Sequence, residues 1–292
     1  MTSGSLAATM AAVEAALAPR PFAEPPTLVK VGVDLGTAFT VVVVLDEQDH
    51  PLAVASERAD VVRDGVVTDF VGAVDVVRRL KDEVERRMGV TLTEAYGGFP
   101  PGVGSGEVDA VRHVIEGAEM DCAGLVDEPT AANAVLGLRD GAVVDVGGGT
   151  TGVAVVAEGA VVHTADEATG GTHLSLVIAG ALGIPLEQAE ALKTDQREQA
   201  RLLPLVRPVM EKVATIVARS TAGWPVPEVS LVGGSVAFPG FAAVVERASG
   251  LPTRVPVAPL FVTPLGIARH APCHVPAPSA AGALARARRV PS

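Results

Sequence analysis

The chain has 292 residues, 48% of them hydrophobic and 20% charged, which is long enough for two packed lobes and too apolar for a disordered polymer. Two cysteines, Cys122 and Cys273, exclude a disulfide framework, and a net charge of −11 disfavours a general nucleic-acid binder, because an acidic surface repels phosphate. No apolar run reaches the ~18–20 residues of a membrane span, and no basic region precedes an apolar stretch at the N-terminus. The expectation is a cytoplasmic protein with a core of Ala, Val and Leu.

In chain order, residues 1–28 stand apart. Leu6, Met10, Val13 and Leu17 recur at helical spacing in an Ala-rich stretch whose only charge is Glu14. The Pro-rich residues 19–26 cannot continue a helix and read as a stiff linker. An amphipathic helix on a tether has the shape of a docking peptide; the alternative is a frayed terminus. From about residue 29 strands and helices alternate, as in α/β proteins. Residues 29–34 and 40–45 read as Val-rich strands joined through Gly36-Thr37. Phe70, Val71, Val74, Val77, Leu80, Val84 and Met88 mark one face of a helix. Strands over 95–99 and 124–126 flank a helix over 106–120, and a second strand pair, 142–146 and 153–156, surrounds Gly147-Gly148-Gly149. Helices follow over 174–182, 186–193 and 205–220, then a strand over 229–232 and a helix over 241–248. The division is lobe I at 29–138, lobe II at 139–261, a returning helix at 262–275 and a flexible tail at 276–292 carrying Arg286, Arg288 and Arg289.

One repeat organises the rest. Asp34-Leu35-Gly36-Thr37 before a Val-rich strand is echoed by Asp145-Val146-Gly147-Gly148-Gly149-Thr150-Thr151 before another. Each copy is strand, aspartate, Gly/Thr turn, strand. Such a turn turns backbone N–H groups and a hydroxyl toward one anion, with glycine leaving room for phosphate oxygens. Gly36, Thr37, Ala38, Gly147, Gly148, Gly149, Thr150 and Thr151 are therefore candidate phosphate-binding residues. Asp34 and Asp145 would hold a hydrated Mg²⁺. Gly147-x-Gly149-x-x-Gly152 matches a dinucleotide fingerprint, but a strand rather than a helix follows it. Glu128-Pro129-Thr130-Ala131-Ala132 reads as a helix start that puts a carboxylate at the lip of lobe I, able to orient a water attacking a terminal phosphate.

These segments resemble the actin-like and DnaK-like ATPase superfamily. Residues 31–37 resemble its first phosphate segment, 128–132 its first connecting segment and 145–150 its second phosphate segment. Leu231-Val232-Gly233-Gly234-Ser235 resembles the adenosine segment, and Thr263-Pro264-Leu265-Gly266-Ile267-Ala268 the second connecting helix. The resemblance implies an α/β, two-lobed actin-like ATPase fold of duplicated ribonuclease H-like lobes, compact with reduced insertions, binding ATP or ADP with Mg²⁺. Within that superfamily, Gly170-Gly171-Thr172-His173-Leu174, Ala189-Glu190-Ala191-Leu192-Lys193 and residues 228–240 resemble the EutJ family of bacterial ethanolamine utilisation. That likeness implies a chaperone-like or enzyme-reactivating factor whose client is ethanolamine ammonia-lyase or another microcompartment component. It also implies that Gly171, Glu190, Lys193, Gly233, Gly234 and Ser235 line the nucleoside side, with a solvated Glu190–Lys193 ion pair as the plainer alternative.

Departures from the superfamily pattern bear on turnover. DnaK-type chaperones carry a lysine on the reacting phosphate, and here only Lys81 is available in that part of lobe I. No sequence for a peptide-binding β-domain follows Ala271, so general unfolded-protein binding is not expected. The alternative reading is an actin-like scaffold or filament with little or no ATPase activity; a small-molecule kinase has less room. His270, Cys273 and His274 form a minor metal candidate, and Trp224 reads as a loop anchor.

Overall fold

The computed structural model describes residues 3–63 and 65–279. It opens with α1 (Ser3–Ala16). Lobe I runs β1 (Lys30–Leu35), β2 (Phe39–Leu45), β3 (Pro51–Arg58), the small hairpin β4 (Val62–Arg63) and β5 (Val66–Val67), and α2 (Phe70–Met88). It continues through β6 (Val90–Thr91), β7 (Glu94–Phe99), α3 (Ser105–Gly117), β8 (Asp121–Asp127) and α4 (Glu128–Leu136). Lobe II has β9 (Gly141–Val146), β10 (Thr151–Ala157), β11 (Ala160–Glu167), α5 (Gly171–Leu182), α6 (Leu186–Thr194) and α7 (Gln196–Thr221). It ends with β12 (Val229–Val232), α8 (Phe241–Ser249) and β13 (Thr253–Arg254). A 3-10 turn then leads into α9 (Val262–His270), and β14 (Ala277–Pro278) follows.

The duplication is physical. One sheet has the spatial order β3-β2-β1-β7-β8 and the other β11-β10-β9-β12-β13. In each, an antiparallel three-stranded meander continues into parallel strands, and the registers match: Leu35 faces Thr40 across β1 and β2, Val146 faces Thr151 across β9 and β10. Strand β2 is apolar on both faces because both are covered. Val42 and Val44 enter the lobe I core, while Val41, Val43 and Leu45 enter a cluster shared with Val143, Val156 and Val232 of lobe II. The helices α4 and α9 pack in that shared cluster and form the crossing with the most extensive contact in the fold. From lobe II, α9 returns against β1, β2 and β7.

Helix α2 spans the expected residues. The Asp69 side chain caps it by accepting the Gly72 N–H at 2.9 Å, and Gly89 ends it at φ 70°. Its inner face is Val74, Val77, Leu80, Val84 and Met88, whereas Phe70 and Val71 are exposed, so the apolar stripe begins one turn later than its sequence suggests.

Two expectations about the ends need correction. The N-terminal helix is not a tethered appendage: Met10 and Val13 are fully buried in the cluster between the lobes, and Leu6 and Leu17 pack on it. Buried Arg87 of α2 donates to the carbonyls of Ala16 and Val54, and the linker is held where Phe22 N–H donates to Arg87 O at 2.8 Å. Removing α1 would therefore expose core, not release a free peptide. The expected tail also starts docked, since β14 pairs with β6 and the Ser279 hydroxyl donates to Gly89 O at 3.0 Å. Arg286, Arg288 and Arg289 lie outside the described residues.

Candidate functional site

The two Gly/Thr turns are built alike. Gly36 N–H donates to Phe39 O and Gly147 N–H to Thr150 O, each at 3.0 Å. Their tips meet across the lobes: a Cβ on Gly148 would lie 2.7 Å from that of Ala38, so glycine is what lets the loops approach. Among the described residues, the amides of Thr37, Ala38, Gly148, Gly149 and Thr150 donate to no protein backbone group, and all five residues line one cavity of about 440 Å³. Unpaired N–H groups around a polar cavity call for an acceptor with several lone pairs, which a phosphate supplies.

Five carboxylates line the same cavity, and three of them crowd together: Asp34 from the end of β1, Asp145 from the end of β9 and Glu128 as the first residue of α4. Asp127 caps that helix by accepting the Thr130 N–H at 3.0 Å, which fixes Glu128 at the lip. Desolvation, reinforced by neighbouring Asp145, pushes Asp34 from an ordinary 3.8 up to about 7. Glu128 is raised well above its usual range by desolvation, then by Asp34 and Asp145. Asp145 is raised by desolvation, partly offset by the Thr263 hydroxyl, which donates to Oδ2 at 2.7 Å. The cleft floor thus stores unfavourable negative charge that a cation would relieve. Asp34, Asp145 and Glu128 offer oxygen donors of the kind a hard cation takes, and among the described residues no three His, Cys, Asp or Glu side chains converge as direct metal ligands.

At the other end, Gly171 opens α5, and its N–H donates to Gly147 O at 2.9 Å. Gly171 lies behind the cavity wall: a Cβ there would overlap the Ser235 hydroxyl and sit 3.3 Å from Lys193 Nζ, so it makes room for both. Gly233, Gly234 and Ser235 line the cavity, and the Ser235 hydroxyl donates to Gly147 O at 2.7 Å. Glu190 and Lys193 are not a solvated pair. Their side chains are 12% and 13% exposed and 2.7 Å apart, and Lys193 Nζ also donates to Gly171 O at 3.0 Å. The Ser175 hydroxyl donates to Glu190 as well, and Arg58 of β3 reaches across from lobe I to Glu190 Oε1 at 2.9 Å. Burial would raise Glu190, but Lys193, Ser175 and Arg58 together hold it below its ordinary value. For Lys193, desolvation wins and lowers the ammonium despite Glu190.

Two sequence candidates fall elsewhere. Thr151 is fully buried and commits its hydroxyl to Thr169 O at 2.6 Å, so it braces the turn from behind. Lys81 is buried in α2 with Nζ 3.0 Å from Glu85 and does not line the cleft. Among the described residues the basic side chains lining it are Arg58 and Lys193. Sequence reasoning missed Arg58, Thr172, Gln196, Gln199 and Thr263 as cavity residues. Only Thr263, inside a connecting-segment pattern, carried a local signal. His270, Cys273 and His274 gather no metal-ligand group among the described residues, and Trp224 stacks on His163 with ring centroids 5.3 Å apart.

Residues 142–266 match the family profile of cell division protein FtsA, and residues 57–182 that of MreB/Mbl protein. The ethanolamine utilization protein EutJ of Salmonella typhimurium is 45% identical over 239 residues, covering 82% of this chain and 84% of that one. This chain belongs to the EutJ family. The crystal structure of EutJ from Carboxydothermus hydrogenoformans, 44% identical, superposes with a TM-score of 0.86 over 92% of this chain and 99% of that one. MreB5 of Spiroplasma citri bound to AMPPNP is only 16% identical but gives a TM-score of 0.66 over 84% of this chain and 95% of its own. EutJ and MreB5 therefore share with this chain the two-lobed actin-like ATPase fold, and in MreB5 that fold holds a nucleotide. Among the described residues of this family member no single helix is long and apolar enough to cross a membrane.

Proposed function

We propose that this EutJ-family protein is a chaperone-like or enzyme-reactivating factor of ethanolamine utilisation, working as a nucleotide-gated two-lobe switch with slow ATP hydrolysis. The observation that carries the reading is the set of unpaired amides on two facing turns, one from each lobe, above a floor of destabilised carboxylates. In this reading Gly36, Thr37, Ala38, Gly147, Gly148, Gly149 and Thr150 cradle the phosphates, and Asp34 and Asp145 hold the hydrated Mg²⁺. The metal supplies positive charge that offsets both the phosphate oxygens and the crowded carboxylates. Glu128 orients a water toward the terminal phosphate. Desolvation disfavours the charged form of Glu128, and among the described residues no lysine of lobe I lines the cleft, so slow turnover is expected.

Because ligand groups come from both lobes, nucleotide stabilises whichever lobe spacing it binds better. Lobe closure is then the output that a client reads; ethanolamine ammonia-lyase or a microcompartment component is the client this family membership suggests. The Arg58–Glu190 bridge spans the cleft and would hold it shut over the nucleoside. Arg58 is 55% exposed, so its replacement leaves the core intact. The expected result is that Arg58→Ala speeds release of a fluorescent ADP by about threefold to fivefold, and an unchanged release rate removes the latch.

The central experiment is calorimetric titration with Mg-ATP and Mg-ADP. Saturable binding is expected, weakened at least about tenfold in Asp34→Ala plus Asp145→Ala, a loss of ~1.4 kcal/mol or more. No heat at millimolar nucleotide would leave the turns as an inherited architecture without a ligand.

A further inference from the structure

The nucleoside end of the cleft contains an amide whose orientation is fixed. Helix α7 starts after its cap residue Asp195, and Gln199 stands in its first turn, half-buried on the cavity wall. Its Nε2 donates to the Lys193 carbonyl at 3.1 Å. A carbonyl can only accept, so the NH₂ must face Lys193 and the amide cannot flip. Among the described residues Oε1 takes no hydrogen bond, which leaves a lone acceptor on the wall.

Its neighbours extend the same polarity. The Thr194 hydroxyl donates to the carbonyls of Glu190 and Ala191, so it too offers only lone pairs to the cleft. Gln196 lines the wall but is exposed and free to rotate, so it can satisfy either kind of partner. The turn that carries Ala237 and Phe238 lines the same cavity. Gly171 lies between the two segments, where a Cβ would meet both the Ser235 hydroxyl and Lys193 Nζ. A cavity edge that bears a fixed acceptor suits a heterocycle that presents a donor.

On these grounds, and resting on the nucleotide reading of the cleft, we propose that Gln199 makes this site selective for a 6-amino purine over a 6-oxo purine. Adenine carries an exocyclic amine that can donate to Oε1, which is the acceptor half of the two-point pairing by which a glutamine amide reads adenine in nucleic acids. Hypoxanthine and guanine carry a carbonyl oxygen there, and two acceptors would face each other with no proton between them. A fixed polar group left unmatched discriminates far better than a pocket of shape alone.

The test is equilibrium binding of the full chain to the Mg complexes of ADP, IDP and purine riboside diphosphate, the last with hydrogen at position 6. Wild type is expected to favour ADP over IDP at least about tenfold, with purine riboside diphosphate between them. Gln199→Leu is expected to compress the ADP-to-IDP ratio to below about threefold while IDP affinity holds within about twofold, which also shows that the cleft is intact. If Gln199→Leu does not fold, Gln199→Met, which also lacks the acceptor, is measured in its place and is expected to compress the ratio to the same extent. Equal affinity for ADP and IDP, or a ratio unchanged by Gln199→Leu, overturns the assignment to Gln199 while leaving the cleft a nucleotide site. Failure of wild type to bind any of the three overturns the nucleotide reading and this assignment with it.

Discussion

Asp34→Asn is expected to make the ligand-free protein more stable at pH 8 while weakening Mg-nucleotide binding at least about tenfold. The sign follows from the proton. Asp34 titrates at about 7 in the folded chain against an ordinary 3.8. Below about pH 4 the carboxyl is neutral folded or unfolded, and its environment costs nothing extra. Between about 4 and 7 the unfolded chain loses the proton while the folded chain keeps it, so folding stability falls as pH rises. Above about 7 both states are ionised and the full penalty, up to about 4 kcal/mol, stays in place. Asparagine has the same shape and no titration. The difference in melting temperature between variant and wild type should therefore be small near pH 5, grow toward pH 7 and level off. Glu128 and Asp145 are raised by the same desolvation, so the variant retains part of the slope. Binding should run the other way: wild-type affinity for Mg-ADP rises through pH 7 as Asp34 ionises, and the variant lacks that rise. A variant less stable than wild type at pH 8 would show that Asp34 is not destabilised where it stands.

The second large effect is Gly266→Ala, expected to lower stability by about 3 kcal/mol and the melting temperature by roughly 6–12 °C. Helices α4 and α9 cross where Gly266 faces Ala131, and a Cβ on Gly266 would overlap the Ala131 carbonyl oxygen. The obstacle is backbone, so no rotamer change relieves it; one helix must move off the other. Gly180→Ala is the control. It sits in α5 with nothing within 4 Å of the added methyl, and it should gain up to about 1 kcal/mol of helix propensity. Equal melting temperatures for the two variants would mean that the crossing is looser than described.

The paired turns were legible because each is a local signal, an aspartate and a Gly/Thr run between Val-rich strands, repeated once. The third strand of each meander was not. Strand β3 opens with Pro51, and β11 alternates exposed and half-buried positions through Glu167. Both stand at sheet edges, where proline is tolerated and a continuous apolar run is not required. Helix α7 was shortened for the opposite reason. Pro204 argues against a helix before residue 205, yet the helix runs from Gln196 to Thr221 because Leu202, Val206, Met210, Val213 and Val217 bury one long face. Arg58 and Gln199 had no signature at all. Each gains its role only when folding brings β3 opposite α6, or sets the first turn of α7 beside Lys193, and no spacing in the chain encodes that meeting.

The seating of α1 has a bearing on how the chain reaches its native state. This helix is synthesised before every other described element, yet the cluster that buries Met10 and Val13 is completed by residues 261–268, about 250 positions later. Pairings that wait on such distant partners are slow to form and leave apolar surface uncovered meanwhile. Met10 and Val13 can rest early on β3 of lobe I, but the cluster they belong to is complete only once the last helix is in place. The first and last described helices thus contribute to one core cluster, although the chain makes them far apart in time.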